Sequence, residues 1–465
     1  MKSLPDQARA MLRRRRGRYR TRYRPPPTAL RLIGGLLFLV VLGTLALMLP
    51  IMGTTRRLEL NEAVFTATSA LSVTGLTIIV PVRDLTLPGQ IILLCLIQIG
   101  GVGFMVAAVV VFRLLGRKIS LIDRVALSDS LGLLVPGAIV QLTRRVLVTV
   151  FTIEGCGAVL LWFNWRDALG NERAVFYAIF HAVSSFCNAG FDLFTGMPDY
   201  PDGIPKDNAT LLIMGTLIFL GGLGIPVLSD LLTWSHHHRI SLHTRITLVV
   251  VVVLLCIGGV GMFLAESRPG MFLTTEPWPR RLLITFFQSI SARTAGFSGV
   301  NGIEHLSAAS QFLLIGLMFI GCAPASMGGG ITTGTFAVLT LALWGYAQGL
   351  PTAQIGGRSI AIWMVRKAAA VLTISLLVVH TATWLILMTH DTTLETAFFE
   401  VVSAFATCGL SLAFTGQLNW FGQLVIIFVM FWGRLGALTI VVALARTQQR
   451  ATQPVTYPEE QILIG

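Results

Sequence analysis

SARTAGFS, residues 291–298, follows an apolar stretch, LLITFFQSI, and leads through a small polar loop toward another apolar stretch. Alone it says little, because a glycine after a helix is commonly a C-cap. It is not alone. The chain also carries ATSALSVTGLT at 67–77, VSSFCNAGFDL at 183–193 and VSAFATCGLSL at 402–412, beside SISARTAGFSG at 289–299. Each sets Ser and apolar residues ahead of a few small or polar residues, then Gly and a large apolar residue. The glycines Gly75, Gly190, Gly296 and Gly409 stand 115, 106 and 113 residues apart. Such spacing marks an internal repeat.

Composition sets the environment in which that repeat must work. Of 465 residues, 54% are hydrophobic and 12% charged, and the mean hydropathy is +0.75. Several apolar stretches reach the ~20 residues that cross a bilayer. A large soluble core would need far more surface charge. The reading is a polytopic all-α membrane protein. The net charge of +13 is mostly local: residues 1–29 hold ten Lys and Arg against Asp6 alone. A nucleic-acid arm is the alternative for such a tail. Beside a span it more simply marks a cytoplasmic end in contact with lipid headgroups, so no nucleic acid is expected. The apolar run from Leu30 is too long for a cleaved signal peptide. The six cysteines are scattered with no CxxC spacing, which suggests neither a zinc site nor a disulfide framework.

Long apolar runs occupy roughly 30–51, 89–115, 144–163, 209–234, 244–266, 308–345, 368–388 and 421–445. Between successive pairs lie shorter half-apolar segments at roughly 60–73, 173–187, 278–293 and 393–407, too short to span upright. The pattern is long, short, long, four times over, giving eight spans. Basic residues in the links, Arg113, Arg117, Lys118, Arg124, Arg144, Arg145, Arg239, Arg245, Arg358, Arg366 and Lys367, place those links and both termini in the cytoplasm. The expected division is a basic tail 1–29, pore repeats 30–115, 144–234, 244–350 and 368–446, and a tail 447–465. In the third repeat, IGCAPASMGGGITTGT at 320–335 interrupts a run twice the length of one span. Pro324 and Gly328-Gly329-Gly330 do not sustain a regular helix. Unpaired backbone at membrane depth belongs where protein buries it or water reaches it, so this stretch should line a cavity.

A short helix entering from outside and ending at mid-depth directs its C-terminal carbonyls, with roughly half a negative charge, inward. Four such ends around one axis, a pseudo-fourfold central pore, favour a cation. The extended backbone after each helix can then turn carbonyl oxygens toward the axis, and rings of carbonyls that replace an ion's water are the basis of potassium filters. The plain alternative is four unrelated caps at re-entrant loops.

This pattern resembles the superfamily of potassium transporters that includes TrkH, KtrB and the fungal and plant Trk/HKT proteins. The stretches that carry the resemblance are SVTGLT (72–77), IQIGGVGF (97–104), NAGF (188–191), LIFLGGLGIPV (217–227), RTAGF (293–297), APASMGGGITT (323–333) and FWGRLGALT (431–439). Eight spans without an extra N-terminal helix pair look more like KtrB than TrkH. The resemblance implies a potassium filter from Val73, Thr74 and Gly75, from Asn188, Ala189 and Gly190, from Thr294, Ala295 and Gly296, and from Thr407, Cys408 and Gly409. Thr74, Asn188, Thr294 and Thr407 are its metal-contacting members. Cys187 and Cys408 depart from the small or polar residues expected there. The resemblance makes the Gly-rich break an intramembrane gate, with Ser326, Gly328, Gly329, Gly330, Thr332 and Thr333 as its residues, and Thr332 standing where the family often carries Lys. It also places Arg434 in the pore beneath the filter, consistent with a charge near mid-span that needs a cavity or partner; an arginine snorkelling to the interface is the other reading.

By the same resemblance the chain is a homodimer of a prokaryotic inner membrane. It carries K⁺, with Na⁺ as an activator, and is regulated by a cytosolic RCK-type nucleotide-binding subunit like KtrA or TrkA. Glu154, His181 and Glu400 are expected to hydrogen-bond neighbouring repeats. Asp192 either draws cations to the mouth or caps a turn. No Walker A pattern, nucleophile elbow or HExxH occurs, so no enzyme chemistry is expected and this chain binds no nucleotide. Two alternatives stay open: a TrkH-like symporter coupled to sodium or protons, and a membrane receptor or scaffold with vestigial pore loops.

Overall fold

The structure is a computed structural model that describes residues 28–102, 139–237 and 240–436. The basic tail, the C-terminal tail and the link residues Arg113, Arg117, Lys118, Arg124 and Arg239 lie outside the described residues. Four units follow one another. The first holds α1 (Thr28–Leu47), the short α2 (Leu60–Ser72) and α3 (Leu87–Val102); the second holds α4 (Ile139–Leu169), the short α5 (Asn171–Phe186), α6 (Asn208–Gly222) and α7 (Ile225–His237). The third holds α8 (Leu242–Glu266), the short α9 (Trp278–Ser291), α10 (Ala308–Phe319) and α11 (Thr333–Ala347). After a hairpin of β1 (Gln354–Ile355) and β2 (Arg358–Ser359), the fourth holds α12 (Ile362–Thr389), the short α13 (Leu394–Ala406) and α14 (Trp420–Leu435).

The helix starts are written locally. Side chains of Asp207, Ser241, Ser307, Thr332, Thr393 and Asn419 accept backbone N–H groups at the starts of α6, α8, α10, α11, α13 and α14, satisfying donors that the first turn leaves unpaired. Glu59 and Glu62 form a reciprocal capping box at α2.

Polarity is distributed inside out. Thr66, Ser69, His181, Ser184, Gln288, Glu400 and Ser403 are buried, while Phe38, Ile91, Phe151, Leu212, Phe312, Trp384 and Phe428 are exposed. Among the described residues three helices are long and apolar enough to cross a membrane: Val146–Leu169 within α4, α8 and α12. The bent pair α6–α7 passes the same test only if its two helices are taken together, and five shorter apolar helices accompany them.

The units close on one another. The helix that follows each short helix packs against the short helix of the next unit: α3 on α5, α6 on α9, α10 on α13, and α14 back on α2. Within three units, glycine also lets the following helix approach its own unit's short helix closely. A Cβ on Gly100 would meet the Leu71 carbonyl oxygen at 2.5 Å, and Cβ atoms on Gly221 and Gly433 would run into the Phe186 and Phe405 carbonyls. Each of those carbonyls lies four residues before its unit's signature glycine. In the third unit the chain instead breaks: Gly321 packs on the carbonyl of Gly329 in its own loop.

The apolar run at 209–234 reads as one span in the sequence, but it bends by 102° between α6 and α7. Gly224 at φ +84° makes the turn, and a Cβ there would sit 2.8 Å from the Pro324 carbonyl oxygen. Glycines that ease helix packing and glycines that end a helix look alike in an apolar run. The break depends on a partner a hundred residues away.

Candidate functional site

All four turns adopt the same unusual backbone. Val73, Asn188, Thr294 and Thr407 are left-handed, at φ 58°, 57°, 75° and 51°, and two residues later Gly75, Gly190, Gly296 and Gly409 have φ 88°, 68°, 76° and 94°. Left-handed β-branched residues are strained and persist only where their surroundings impose them. Here the short helices impose them. The Thr74, Ala189 and Cys408 N–H groups fold back on the Ser69, Ser184 and Ser403 carbonyls at 2.8, 2.7 and 2.8 Å, and Ala295 N–H does so on Ser291 at 2.8 Å. With their N–H groups turned to the helix, these residues have carbonyls facing away from it. Among the described residues no hydrogen bond ends on the Thr74, Ala189, Ala295 or Cys408 carbonyl oxygen.

The four turns meet. A Cβ on Gly75 would lie 2.5 Å from the Ala189 carbonyl oxygen and one on Gly190 would lie 2.8 Å from that of Ala295. Gly296 abuts the Cys408 carbonyl in the same way, and Gly409 abuts that of Thr74. The circuit of contacts therefore closes, unit one to two to three to four to one. Serines that the sequence reading noted without a role pin it from behind. Ser184 Oγ donates to the Phe191 carbonyl at 2.8 Å, Ser291 Oγ donates to that of Phe297 at 2.5 Å, and Ser403 Oγ accepts from Gly409 N–H at 3.0 Å.

The side chains of the expected metal-contacting residues behave differently. Thr74 Oγ1 lies 2.7 Å from Ser72 Oγ, Asn188 lies 3.3 Å from Thr294 Oγ1, and Thr407 Oγ1 is buried without a partner. The Cys408 thiol packs on the third unit and donates to the Ala292 carbonyl at 3.3 Å.

The break of the third unit, residues 320–332, lies against this meeting point. Space for a side chain is missing along it: Gly328 faces Thr294 Oγ1, a Cβ on Gly329 would be 2.6 Å from Thr407 Oγ1, and one on Gly330 would be 3.3 Å from Ala406 Cα. The loop is held by backbone. Ala323 and Met327 N–H donate to the Gly222 and Gly221 carbonyls at 3.1 and 3.5 Å, and Ile225 N–H donates to the Ala325 carbonyl at 3.1 Å. The bend in the second unit is thus the loop's own dock. Of the hydroxyls expected in the loop, Thr332 caps α11, while those of Ser326 and Thr333 are buried without partners.

Arg434 is no snorkelling residue. Its guanidinium donates to the Met327 carbonyl in the loop, to that of Gly100, and to that of Gly101 at 3.4 Å. It bridges the fourth unit, the first unit and the loop.

Glu154, His181, Glu400 and Asp192 each hydrogen-bond within the protein. Glu154 accepts from Gln98 Nε2 of the first unit at 3.1 and 3.2 Å, a bond between neighbouring units. His181 and Glu400 bond within their own units instead: His181 Nε2 lies 2.9 Å from Asp192 Oδ1, and Glu400 accepts from Ser411 Oγ at 2.7 Å and from Thr415. Asp192 caps a turn, accepting from the Phe194 and Thr195 N–H groups at 2.8 and 2.9 Å. No group of three or more His, Cys, Asp or Glu stands ready for a metal among the described residues.

A four-unit helical protein whose strained turns converge is the architecture of a known class. The chain matches the TrkH family of cation transport proteins over residues 36–453 and belongs to it. It is 34% identical over 416 residues to Ktr system potassium uptake protein B of Vibrio alginolyticus, covering 88% of this chain and 89% of that one. It is 35% identical over 454 residues to the potassium/sodium uptake protein NtpJ of Enterococcus hirae, covering 96% and 99%. The crystal structure of the potassium transporter TrkH from Vibrio parahaemolyticus shares the fold, with a TM-score of 0.72 at 20% identity over 93% of this chain and 87% of that one.

Proposed function

We propose that this chain takes up potassium across a prokaryotic cytoplasmic membrane through one pore per chain. Eight spans surround a pseudo-fourfold axis, with both termini in the cytoplasm, and the four repeats run over 30–115, 144–234, 244–350 and 368–446. Carbonyls of Val73 and Thr74, Asn188 and Ala189, Thr294 and Ala295, and Thr407 and Cys408 line the axis and replace the ion's water. The observation that carries the reading is the closed circuit of glycine-to-carbonyl contacts, made by four turns of one backbone conformation whose Thr74, Ala189, Ala295 and Cys408 oxygens accept no hydrogen bond among the described residues.

The loop 320–332 is the gate. Its packing against Thr294, Thr407 and Ala406 supports this. Gly328, Gly329 and Gly330 leave it slender enough to withdraw, and Arg434 holds it at Met327. A fixed guanidinium there also opposes a passing cation. The names of the relatives support the substrate, and the Ktr name supports a multi-subunit system; a homodimer and a cytosolic nucleotide-binding partner complete the reading. The potassium/sodium name of the Enterococcus relative favours a part for sodium, as activator or coupled ion.

The test is isotope uptake by the purified chain in liposomes with competing cations. Potassium influx that exceeds sodium influx supports the reading. A protein that moves neither ion, with or without a co-reconstituted regulatory subunit, is a scaffold and the reading fails.

A further inference from the structure

Arg293 is a charged residue at a place where the other three units carry none. Three residues before the signature glycine stand Ser72, Cys187, Arg293 and Ala406. The third unit is also the one in which the helix after the filter turn opens into the long loop 320–332. The charge and the loop occur together, and they touch. Arg293 is 6% exposed, and its Nη2 donates to the Gly321 carbonyl at 3.2 Å, where the loop leaves α10. The loop answers in the other direction: the Cys322 thiol donates to the Arg293 carbonyl at 3.0 Å and lies 3.1 Å from Thr294 Oγ1.

A guanidinium has five N–H donors and stays charged. Burying it against one neutral carbonyl is expensive, and Nε here is buried without a partner. No carboxylate pairs with it among the described residues. Packing alone is served by a neutral side chain, as the other three turns demonstrate. Arg434 meets the middle of the same loop at Met327. Two guanidiniums from two units thus grip the loop at Gly321 and at Met327, on either side of Pro324.

We propose that Arg293 is a positioning residue of the gate, a second latch that holds the entry of the loop 320–332 closed from the filter side. This rests on reading that loop as the gate. Withdrawal of the loop removes the Gly321 carbonyl from Arg293, so the charge-assisted bond favours the closed position. Because Arg293 adjoins Thr294, the latch ties the third filter turn to the gate.

The experiment compares potassium and sodium flux in liposomes for Arg293→Gln in two backgrounds, the parent protein and the protein lacking Gly328–Gly330. A charge-assisted bond lost from the closed state alone raises potassium flux about tenfold in the parent background. The potassium-to-sodium ratio stays at its parent value, and in the loop-deleted background the substitution changes neither quantity. Parent-level flux in Arg293→Gln overturns the latch. So does an altered ion ratio in both backgrounds, which marks a filter strut. If the Gln variant does not fold, Arg293→Met, apolar and of similar length, is read by the same criteria. A parent protein that moves no potassium overturns the transport reading and the latch with it. A conducting parent matched by its variant overturns the latch alone.

Discussion

The signature glycines are where a single residue decides most. Each combines a positive φ with a neighbour's carbonyl in the space a Cβ would take. For Gly409→Ala the backbone alone costs about 1–2 kcal/mol, and the added methyl meets the Thr74 carbonyl. We expect Gly409→Ala to lose potassium preference over sodium while still reaching the membrane, measured as paired isotope fluxes. An unchanged ratio contradicts a filter at this turn. Arg434 sits one layer away. Its bonds to the Met327 and Gly100 carbonyls join the proposed gate loop to the first unit, and one charge-assisted bond contributes about 1.5–3 kcal/mol. Arg434→Ala should therefore raise flux about tenfold or more, each 1.4 kcal/mol being a factor of ten. Uptake rate and apparent affinity equal to those of the parent would remove Arg434 from the gate.

Elements show what the sequence made legible and what it hid. The four short helices were readable within a few residues, because half-apolar segments between long apolar runs leave few alternatives. The third-unit break was readable because Pro324 and three glycines oppose a helix. The α6–α7 bend was not, since Gly221, Gly222 and Gly224 resemble packing glycines and the Pro324 carbonyl that requires Gly224 is distant in sequence. The serine pins and Arg293 were hidden for a related reason: a hydroxyl or a guanidinium near a helix end has many uses, and only the fold selects one. Deleting Gly328–Gly330 tests the loop as an element. Faster and less regulated potassium flux is expected, and unchanged flux speaks against a gate.

The start of α2 offers a second test at this scale, outside the spans. The hydrogen bond from Arg56 to Glu62, at 2.5 Å, together with the Glu59 N–H and the Arg56 charge, holds the Glu62 carboxyl below its usual 4.5 despite partial burial. A depressed carboxyl stabilises the fold fully above its unfolded value and loses that contribution as pH falls through the folded one. The melting temperature of the parent should exceed that of Glu62→Gln at pH 7, with the gap closing below about 4.5. A gap that is constant from pH 7 to pH 3 would show that the ion pair does not brace α2.

Over the whole molecule, the four units perform unequal parts on one plan. Units one, two and four each seat a glycine on the carbonyl four residues before the signature glycine, and unit three gives up that seat to form its loop. Unit two bends to receive the loop, and units three and four each supply one arginine to it. In the proposed reading, repetition builds the path and departures from repetition close it. The most direct measurement is anomalous scattering from crystals grown with thallium, a heavy stand-in for potassium. A carbonyl-lined filter predicts a peak on the axis, equidistant from the Thr74, Ala189, Ala295 and Cys408 carbonyl oxygens. Thallium bound only elsewhere, or an empty axis at saturating thallium, would contradict it.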